Sequence, residues 1–600
     1  MQAVILAAGM GKRLKKYTEK NTKCMVEVNG VTLIERMLRI LDLKGLDRII
    51  IVSGYARENL EAFVPTLKIN TPVIFIQNEI YDRTNNIYSL LLAKDYLVSE
   101  DTLLLESDLI FDESVIDVLL EDKRDTLALV DKFASWMDGT CMKLGPEDEI
   151  SEFIPGKYLR FDEEESYYKT VNIYKFSKRF SAKIYIPFLE AYIKAMGENE
   201  YYESVIKLIA MLEGSGIRAK RLSGQKWYEI DDEQDLDIAS GLFADEHDSY
   251  RSVTSRYGGF WRYPRLLDYC YLVNPYFPSQ KMMEEMKASF NELMCGYPSG
   301  MRVNTMLAAR YFDLDPEYVL VANGAAELIL ALMNSINGKL GLIRPVFEEY
   351  PNRYKGEMLV YRSKKDDFSY SAEDIKGYFS EYKPDWLLVV NPDNPSGNYI
   401  SYRDMRDLVS WCGENGIRLV VDESFVDFAD EAEEKEVSLL ADGILKENRH
   451  LYVIKSISKS YGVPGVRLGV LASADNTILN ELKSELPIWN INSFAEYYMQ
   501  IFGKYREDYR EALRKFRMAR RKMKDELQDI RWIKVFESEA NYFMCEITGG
   551  ITASELADSL YRDDILIKDL TTKIGNGRQY IRLAIRTEEE NEYLIKRMKR

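Results

Sequence analysis

Gly9 and Gly11 follow directly on the apolar run 3–6, and glycines at the end of a strand let backbone N–H groups approach a phosphate chain. Leu6, Ala8, Gly9 and Gly11 would form such a loop, and Arg13 and Lys23 would add positive charge around a triphosphate. Farther along, Asp108 closes the apolar run 102–105 at its expected carboxyl tip, where open α/β sheets bind ligands. Glu229 and Asp231 stand at alternate positions, so both carboxylates can point to one face of a strand. Three hard oxygen ligands of this kind, Asp108, Glu229 and Asp231, suit Mg²⁺, which keeps some waters and bridges to phosphate oxygens. A strand–Gly–x–Gly loop is also a common tight turn, and carboxylates at strand ends are often only solvated, so the surrounding pattern has to decide.

That pattern includes Arg13, Thr18 and Lys23, then Met25-Val-Glu-Val-Asn-Gly30 and Thr32-Leu-Ile-Glu35. It resembles the sugar-nucleotide and choline-phosphate nucleotidyltransferases, with Thr22 in place of the usual proline before the lysine. Tyr81-Asp-Arg-Thr-Asn85-Asn86, Ser135-Trp136-Met-Asp138-Gly-Thr and Lys169-Thr-Val-Asn172 narrow the resemblance to the choline-phosphate cytidylyltransferase group over residues 1–240. The resemblance implies that Gln77 and Asn85 recognise cytosine. It also implies in-line attack of a phosphate or phosphonate oxygen on the α-phosphorus of CTP. That oxygen is already ionised, so positioning and charge neutralisation by Mg²⁺, Lys23 and Arg13 would suffice without a general base. An amino-alcohol phosphate also has a cationic end. Trp136, Tyr201 and Tyr202 would give it an aromatic wall, Asp138 would pair with a primary ammonium, and Asn172 belongs to the same substrate side.

In the second half, Lys459 has Ser456 three residues before it and Arg467 eight after, with Asn394 and Asp422 ahead in Asn391-Pro-Asp-Asn394-Pro-Ser-Gly397 and Val420-Val-Asp422-Glu-Ser-Phe425. A lone lysine is usually a surface residue. Five motifs in this order resemble the aspartate-aminotransferase superfamily of pyridoxal-phosphate enzymes over residues 255–600, in its histidinol-phosphate and threonine-phosphate-decarboxylase branch. The resemblance implies that Lys459 forms the Schiff base with pyridoxal 5′-phosphate and shuttles a proton, and that Asp422 keeps the pyridine nitrogen protonated. It implies that Asn394 donates to the ring 3′-oxygen and Phe347 stacks on the ring. Ser456, Arg467 and the backbone of Gly324, Ala325 and Ala326 would hold the phosphate at a helix start. Arg582 would clamp a substrate carboxylate. Tyr297 would reach the cofactor of a neighbouring subunit, which implies a homodimer through this domain. Two positions depart from the pattern: Phe425 replaces the usual tyrosine, and Arg586 stands where glycine is common, either covering surface or meeting a second anionic group.

The elements that must carry these residues alternate. Apolar runs 3–6, 48–52, 73–76, 102–105 and 126–130 read as strands separated by amphipathic stretches such as 32–41, and a second series follows at 318–321, 340–343, 386–390, 418–421, 450–454 and 468–472. Such alternation predicts mostly parallel sheets covered by helices. The expected architecture is α/β: a Rossmann-like nucleotidyltransferase domain over 1–242, a linker at 243–256, and a fold-type I aminotransferase over 257–600 made of a large α/β domain and a small α+β lobe. The basic run 514–524 reads as a solvated helix face.

A chain of 600 residues with 46% hydrophobic and 30% charged residues can bury more than one core, and its net charge of −17 argues against nucleic acid or anionic membrane as a partner. The six cysteines form no CxxC pair, the two histidines match no motif, and the short apolar N-terminal run reads as a strand rather than a signal peptide, so the expected location is the cytoplasm. If one half makes what the other consumes, the shared compound carries an amine and a phosphorus oxyanion. Transamination of phosphonoacetaldehyde to 2-aminoethylphosphonate, followed by transfer of CMP from CTP, satisfies this; the amino donor is an amino acid. The alternatives are a phospho-amino-acid decarboxylase coupled to nucleotidyl transfer, phosphocholine activation beside an unrelated aminotransferase, and a ligand-sensing scaffold with one inactive half.

Overall fold

The computed structural model describes every residue except 135, 136, 138, 213, 245–248, 264 and 434. It divides into two compact units, Met1–Pro264 and Arg265–Arg600. The segment 243–256 contains the helix Ser249–Ser255 and falls within the first unit.

In the first unit the strand Gln2–Ala7 lies between Ile49–Ser53 and Thr102–Glu106, parallel to both, and Val73–Gln77 extends the parallel part. Every residue of Gln2–Ala7 is buried, as expected of a strand covered on both faces. Ala3, Ile5 and Ala7 enter one apolar core and Val4 and Leu6 the other. The other half of the sheet is mixed, which the alternating pattern did not foretell: Tyr168–Phe176 runs against Thr102–Glu106, Leu127–Lys132 and Cys141–Leu144, while Arg218–Arg221 lies parallel to Leu127–Lys132. The helix Leu33–Asp42 starts where Thr32 accepts a hydrogen bond from the Glu35 amide at 3.2 Å, and it buries Leu33, Ile34, Met37, Leu38 and Leu41 along one stripe.

The second unit is built on a seven-stranded sheet in the order Val319–Ala322, Gly469–Ala472, Leu451–Ser456, Arg418–Asp422, Trp386–Val390, Lys339–Arg344, Glu357–Arg362. Only Gly469–Ala472 runs antiparallel to its neighbours. Asp422 and Ser456 therefore end adjacent parallel strands on one sheet edge. The strand Glu357–Arg362 is a half-exposed edge that the strand series predicted from the sequence left out, although 358–361 is a short apolar run. The small lobe is a four-stranded antiparallel sheet of Ile533–Val535, Tyr542–Ile547, Gln579–Ala584 and Lys568–Asp569.

The long helix Arg506–Gln528 corrects the expectation of a solvated basic face. Arg517 and Arg520 are each 3% exposed. Arg517 donates to the carbonyls of Ala429 and Asp427, and Arg520 donates to the Ala540 carbonyl and to Asp430 and Glu539 at 2.8 and 2.9 Å. Arg520→Ala should lower the stability of the second unit by about 2–3 kcal/mol, the range for charged hydrogen bonds lost from a buried group whose carboxylate partners stay partly hydrated. The midpoint of urea unfolding measures it; an unchanged midpoint would return Arg520 to the surface role. No helix among the described residues is long and apolar enough to cross a membrane.

Candidate active sites

The loop after Gln2–Ala7 opens a cavity of about 330 Å³ lined by Leu6, Ala8, Gly9, Gly11, Arg13, Lys23, Asn85, Asp108 and Asp231, among others. Gly11 has φ 58°, and a Cβ there would stand 3.0 Å from Thr18 and 3.1 Å from Lys23, so the turn needs glycine on both counts. Gly9 has open space where a Cβ would be, which leaves its backbone approachable. Thr22, the departure from proline, is buried and donates its hydroxyl to the Ala7 carbonyl at 3.2 Å and the Gly9 carbonyl at 3.4 Å. The threonine thus fixes by hydrogen bonding a loop that a proline would stiffen covalently.

At the floor, Lys23 Nζ lies 2.6 Å from Asp108 Oδ2 and 2.7 Å from Asp231 Oδ1, and Arg13 reaches Asp231 at 2.8 Å. Burial works against the Lys23 charge, but the two carboxylates outweigh it and hold the ammonium well above its ordinary pKa. Burial likewise opposes ionisation of Asp231, yet Lys23 and Arg13 keep its pKa below the ordinary value. Glu229 turns elsewhere: Lys169 lies 3.4 Å from it and Asn172 donates to it at 3.3 Å. Among the described residues no group of three Asp, Glu, His or Cys side chains is gathered for a metal. The three carboxylates expected to bind a metal are therefore not gathered: Lys23 bridges Asp108 and Asp231, and Lys169 and Asn172 engage Glu229. A divalent cation still fits, since Asp108 Oδ1 is buried and has no hydrogen-bond partner.

Gln77 is exposed at the end of Val73–Gln77 and accepts from Arg57, outside the cavity lining. The next residue, Asn78, is the one that lines it, donating to Thr84 and Ser89 at 3.1 Å each. Neighbouring residues of an extended chain face opposite ways, so Gln77, expected to recognise the base, turns away from the cavity that Asn78 lines. Asn85 caps the helix Asn86–Leu92 at the cavity edge. Tyr201 is 59% exposed, whereas Tyr202 is fully buried. Trp136 and Asp138 lie outside the described residues.

The second site gathers around Lys459. Its pKa is pushed down to about 8, by burial first and then by Arg582 and Arg467, with Asp422 and Asp268 opposing. Asp422 is 4% exposed and fully bonded. Oδ2 accepts from Tyr350 at 2.8 Å, and Oδ1 accepts from the Ser424 amide at 2.9 Å and hydroxyl at 2.5 Å. Asn394 Oδ1 accepts from Arg582 at 2.7 Å, and Arg582 also donates to the Cys270 carbonyl at 2.8 Å while its Nε has no partner. Gly324, at φ 82°, precedes the helix Ala325–Ser335, with Ala326 in its first turn. A Cβ on it would lie 2.5 Å from an Arg467 nitrogen, and one on Gly469 would lie 2.4 Å from the Ala325 amide, so backbone and guanidinium form a cradle with no room for side chains. The Ser456 hydroxyl accepts from the Ser458 amide at 3.3 Å. Phe347 is 40% exposed beside Tyr350, and Tyr297 is 83% exposed against Trp489. Arg586 is paired with Glu590 and donates to the Asp268 carbonyl, so it is committed within the lobe rather than turned to a second anion. Phe425 is buried edge-on against Tyr542, an apolar contact in place of a hydroxyl.

Residues 273–598 match the family described as aminotransferase class I and II. The chain belongs to the class I and II aminotransferases. This aminotransferase is fused to a nucleotidyltransferase domain, since residues 3–137 match the MobA-like NTP transferase domain. Along nearly its whole length, 99% of this chain and 94% of the relative, it is 31% identical to the CMP-5′-(3-aminopropyl)phosphonate synthase of Streptomyces rubellomurinus. Its aminotransferase half is 30% identical to the L-serine phosphate decarboxylase of Sulfurospirillum multivorans, over 56% of this chain and 87% of that one. The solved structure of a decarboxylase from the same organism superposes with a TM-score of 0.52 at 29% identity, covering 57% of this chain and 90% of that one. Together these establish an enzyme with a nucleotidyltransferase domain ahead of a fold-type I aminotransferase. Tyr350, Ser424 and Asn78 went unnoticed in the sequence: each is an ordinary residue whose role appears only through a partner on another element or a choice of face.

Proposed function

We propose that this chain makes an aminoalkyl phosphonate and activates it as a CMP conjugate: transamination of phosphonoacetaldehyde gives 2-aminoethylphosphonate, whose oxygen then attacks CTP and expels pyrophosphate. The observation that carries the reading is the pairing of a Lys23–Asp108–Asp231 cavity with a Lys459–Asp422 site on one polypeptide. The whole-length similarity to a phosphonate-activating synthase supports it.

In the first unit the Gly9–Gly11 backbone and Arg13 receive the triphosphate, and Asp108 and Asp231 hold Mg²⁺. Lys23, which bridges the two carboxylates, would neutralise phosphate charge once a metal occupied them. The phosphonate oxygen is already ionised, so the chain's task is alignment.

In the second unit Lys459, Asp422, Asn394, Ser456, Arg467 and the Gly324 cradle fit pyridoxal 5′-phosphate, which supplies the electron sink for the bond changes at the substrate's Cα. Asp422, bonded on both oxygens, would be the carboxylate that keeps the ring nitrogen protonated. Lys459, with its lowered pKa, takes and returns the proton at Cα. Arg582 holds the carboxylate of the amino donor. Tyr297 is free to serve the second subunit of a homodimer.

The similarity of the second unit to L-serine phosphate decarboxylase favours one other reading, in which the amine arises by loss of CO₂ from a phosphorus-bearing amino acid. Pyrophosphate release from CTP and Mg²⁺ with 2-aminoethylphosphonate, phosphocholine and ethanolamine phosphate in parallel tests the first half. Preference for the phosphonate is expected, and none with it would sink the reading. Amine formation that requires an amino donor and releases no CO₂ distinguishes transamination from decarboxylation.

A further inference from the structure

The nucleotidyl cavity contains carboxylates that phosphoryl chemistry does not use. Glu106 ends Thr102–Glu106 and lines the cavity, and Glu203 opens the helix Glu203–Ala210. Asn86 joins them: its Nδ2 donates to Glu106 at 3.0 Å and to Glu203 at 3.5 Å, while its Oδ1 accepts from the Tyr202 amide at 3.0 Å. Neither carboxylate has an ion-pair partner among the described residues, and the cation that Glu203 senses, Lys169, is paired with Glu229. Beside the carboxylates stand Tyr174 and Tyr202, rings 6.0 Å apart and edge to face, both fully buried, each feeling both carboxylates. Neither hydroxyl makes a hydrogen bond of full geometry among the described residues, and the Tyr174 hydroxyl stands near those of Tyr202 and Thr170. Two carboxylates without an ion pair, one lining the cavity and one behind it, and two buried phenols beside them lack the same thing, a cation that carries N–H donors.

We propose that Glu106, Glu203 and the Tyr174 and Tyr202 hydroxyls form the seat for the primary ammonium of the phosphonate that attacks CTP. The seat rests on the nucleotidyl-transfer reading above and assigns the specificity within it. A primary ammonium offers one positive charge and three N–H donors. A trimethylammonium offers the charge alone and leaves the hydroxyls unsatisfied. Mg²⁺ demands octahedral oxygen ligands, for which two neutral phenols and two carboxylates tied to the Asn86 amide are poor material. Glu106 also precedes Asp108 by two residues across a turn, so the seat lies near the metal position, as a short alkyl tether between the ammonium and the phosphonate requires.

The test is kcat/KM for pyrophosphate release from CTP with 2-aminoethylphosphonate, its N-trimethyl analogue and propylphosphonate, a neutral shape mimic. Wild-type enzyme should prefer the primary amine over both by on the order of a hundredfold, the scale of a buried charge pair lost. Glu203→Gln and, independently, Tyr202→Phe should shrink that preference, with the fold of each checked by circular dichroism. Equal rates for all three phosphonates in wild-type enzyme would overturn the ammonium seat and leave nucleotidyl transfer standing. No release with any phosphonate would overturn the underlying reading and the seat with it. The wild-type comparison needs no variant, so a misfolded mutant does not protect the proposal.

Discussion

Lys459→Ala should lower amino-group transfer by about 10³–10⁴, near the upper end of what a positioned acid–base group contributes. The amine is poised for that work in two ways. Burial and the neighbouring Arg582 and Arg467 bring its pKa down to about 8, so near neutral pH an unprotonated fraction is available without loss of proton-donating ability. Its backbone is pinned as well: the Lys459 carbonyl accepts from the Asn274 and Gly462 amides at 2.9 and 3.2 Å. The measurement is transfer from an amino-acid donor, together with the visible absorbance that a lysine-linked cofactor contributes; both should vanish. Pyrophosphate release should persist, because the first unit has its own apolar cores. Retention of more than a tenth of the transfer rate would show that another base moves the proton.

Asp108→Asn should cost about 10²–10³ in kcat/KM for CTP, the loss typical of one preorganised electrostatic contact at a reacting phosphate, and should raise the Mg²⁺ concentration needed for half-maximal rate. The substitution keeps the shape of the side chain and removes the charge whose buried, unpartnered Oδ1 is available to the metal. It also leaves Lys23 paired with Asp231 alone. Pyrophosphate release measured across a Mg²⁺ series reads both effects. An unaltered Mg²⁺ response would remove Asp108 from the metal site and leave it as a partner of Lys23.

The sequence carried most of what linear spacing can carry. Lys459, Asp422, Asn394 and Gly324 are close to strand ends or a helix start, and that position depends on the covalent order of alternating strands and helices, so the chain itself displays it. Choices of face were less legible. Gln77 and Asn78 are neighbours, and only the register of Val73–Gln77 against Ile49–Ser53 tells which turns inward. Partnerships between distant elements left no local trace: nothing near Tyr350 announces a hydrogen bond to Asp422, 72 residues away. Glu229 belonged to the expected metal set until Lys169 and Asn172, from a strand running the other way, claimed it. The buried arginines were recoverable. Leu513, Phe516, Arg517, Arg520, Met523 and Leu527 share one helical stripe, and a charged residue on an apolar stripe signals a buried partner rather than a wet face.

Lys23, bridging Asp108 and Asp231, is in effect a counterion tethered to the polypeptide. Two acidic groups facing each other across an open loop would repel one another and either spread the loop or capture whatever cation drifted by. The tethered ammonium removes that tension, so the loop keeps its shape while it waits. It also sets an order of events. A nucleotide without its metal meets carboxylates already satisfied and finds only part of the available positive charge, whereas a metal–nucleotide pair brings the replacement cation with it and frees the lysine for the phosphates. On the proposed reading, a site left empty would be closed again by the lysine between the carboxylates. A resting site of this kind would favour the complexed nucleotide over the free one.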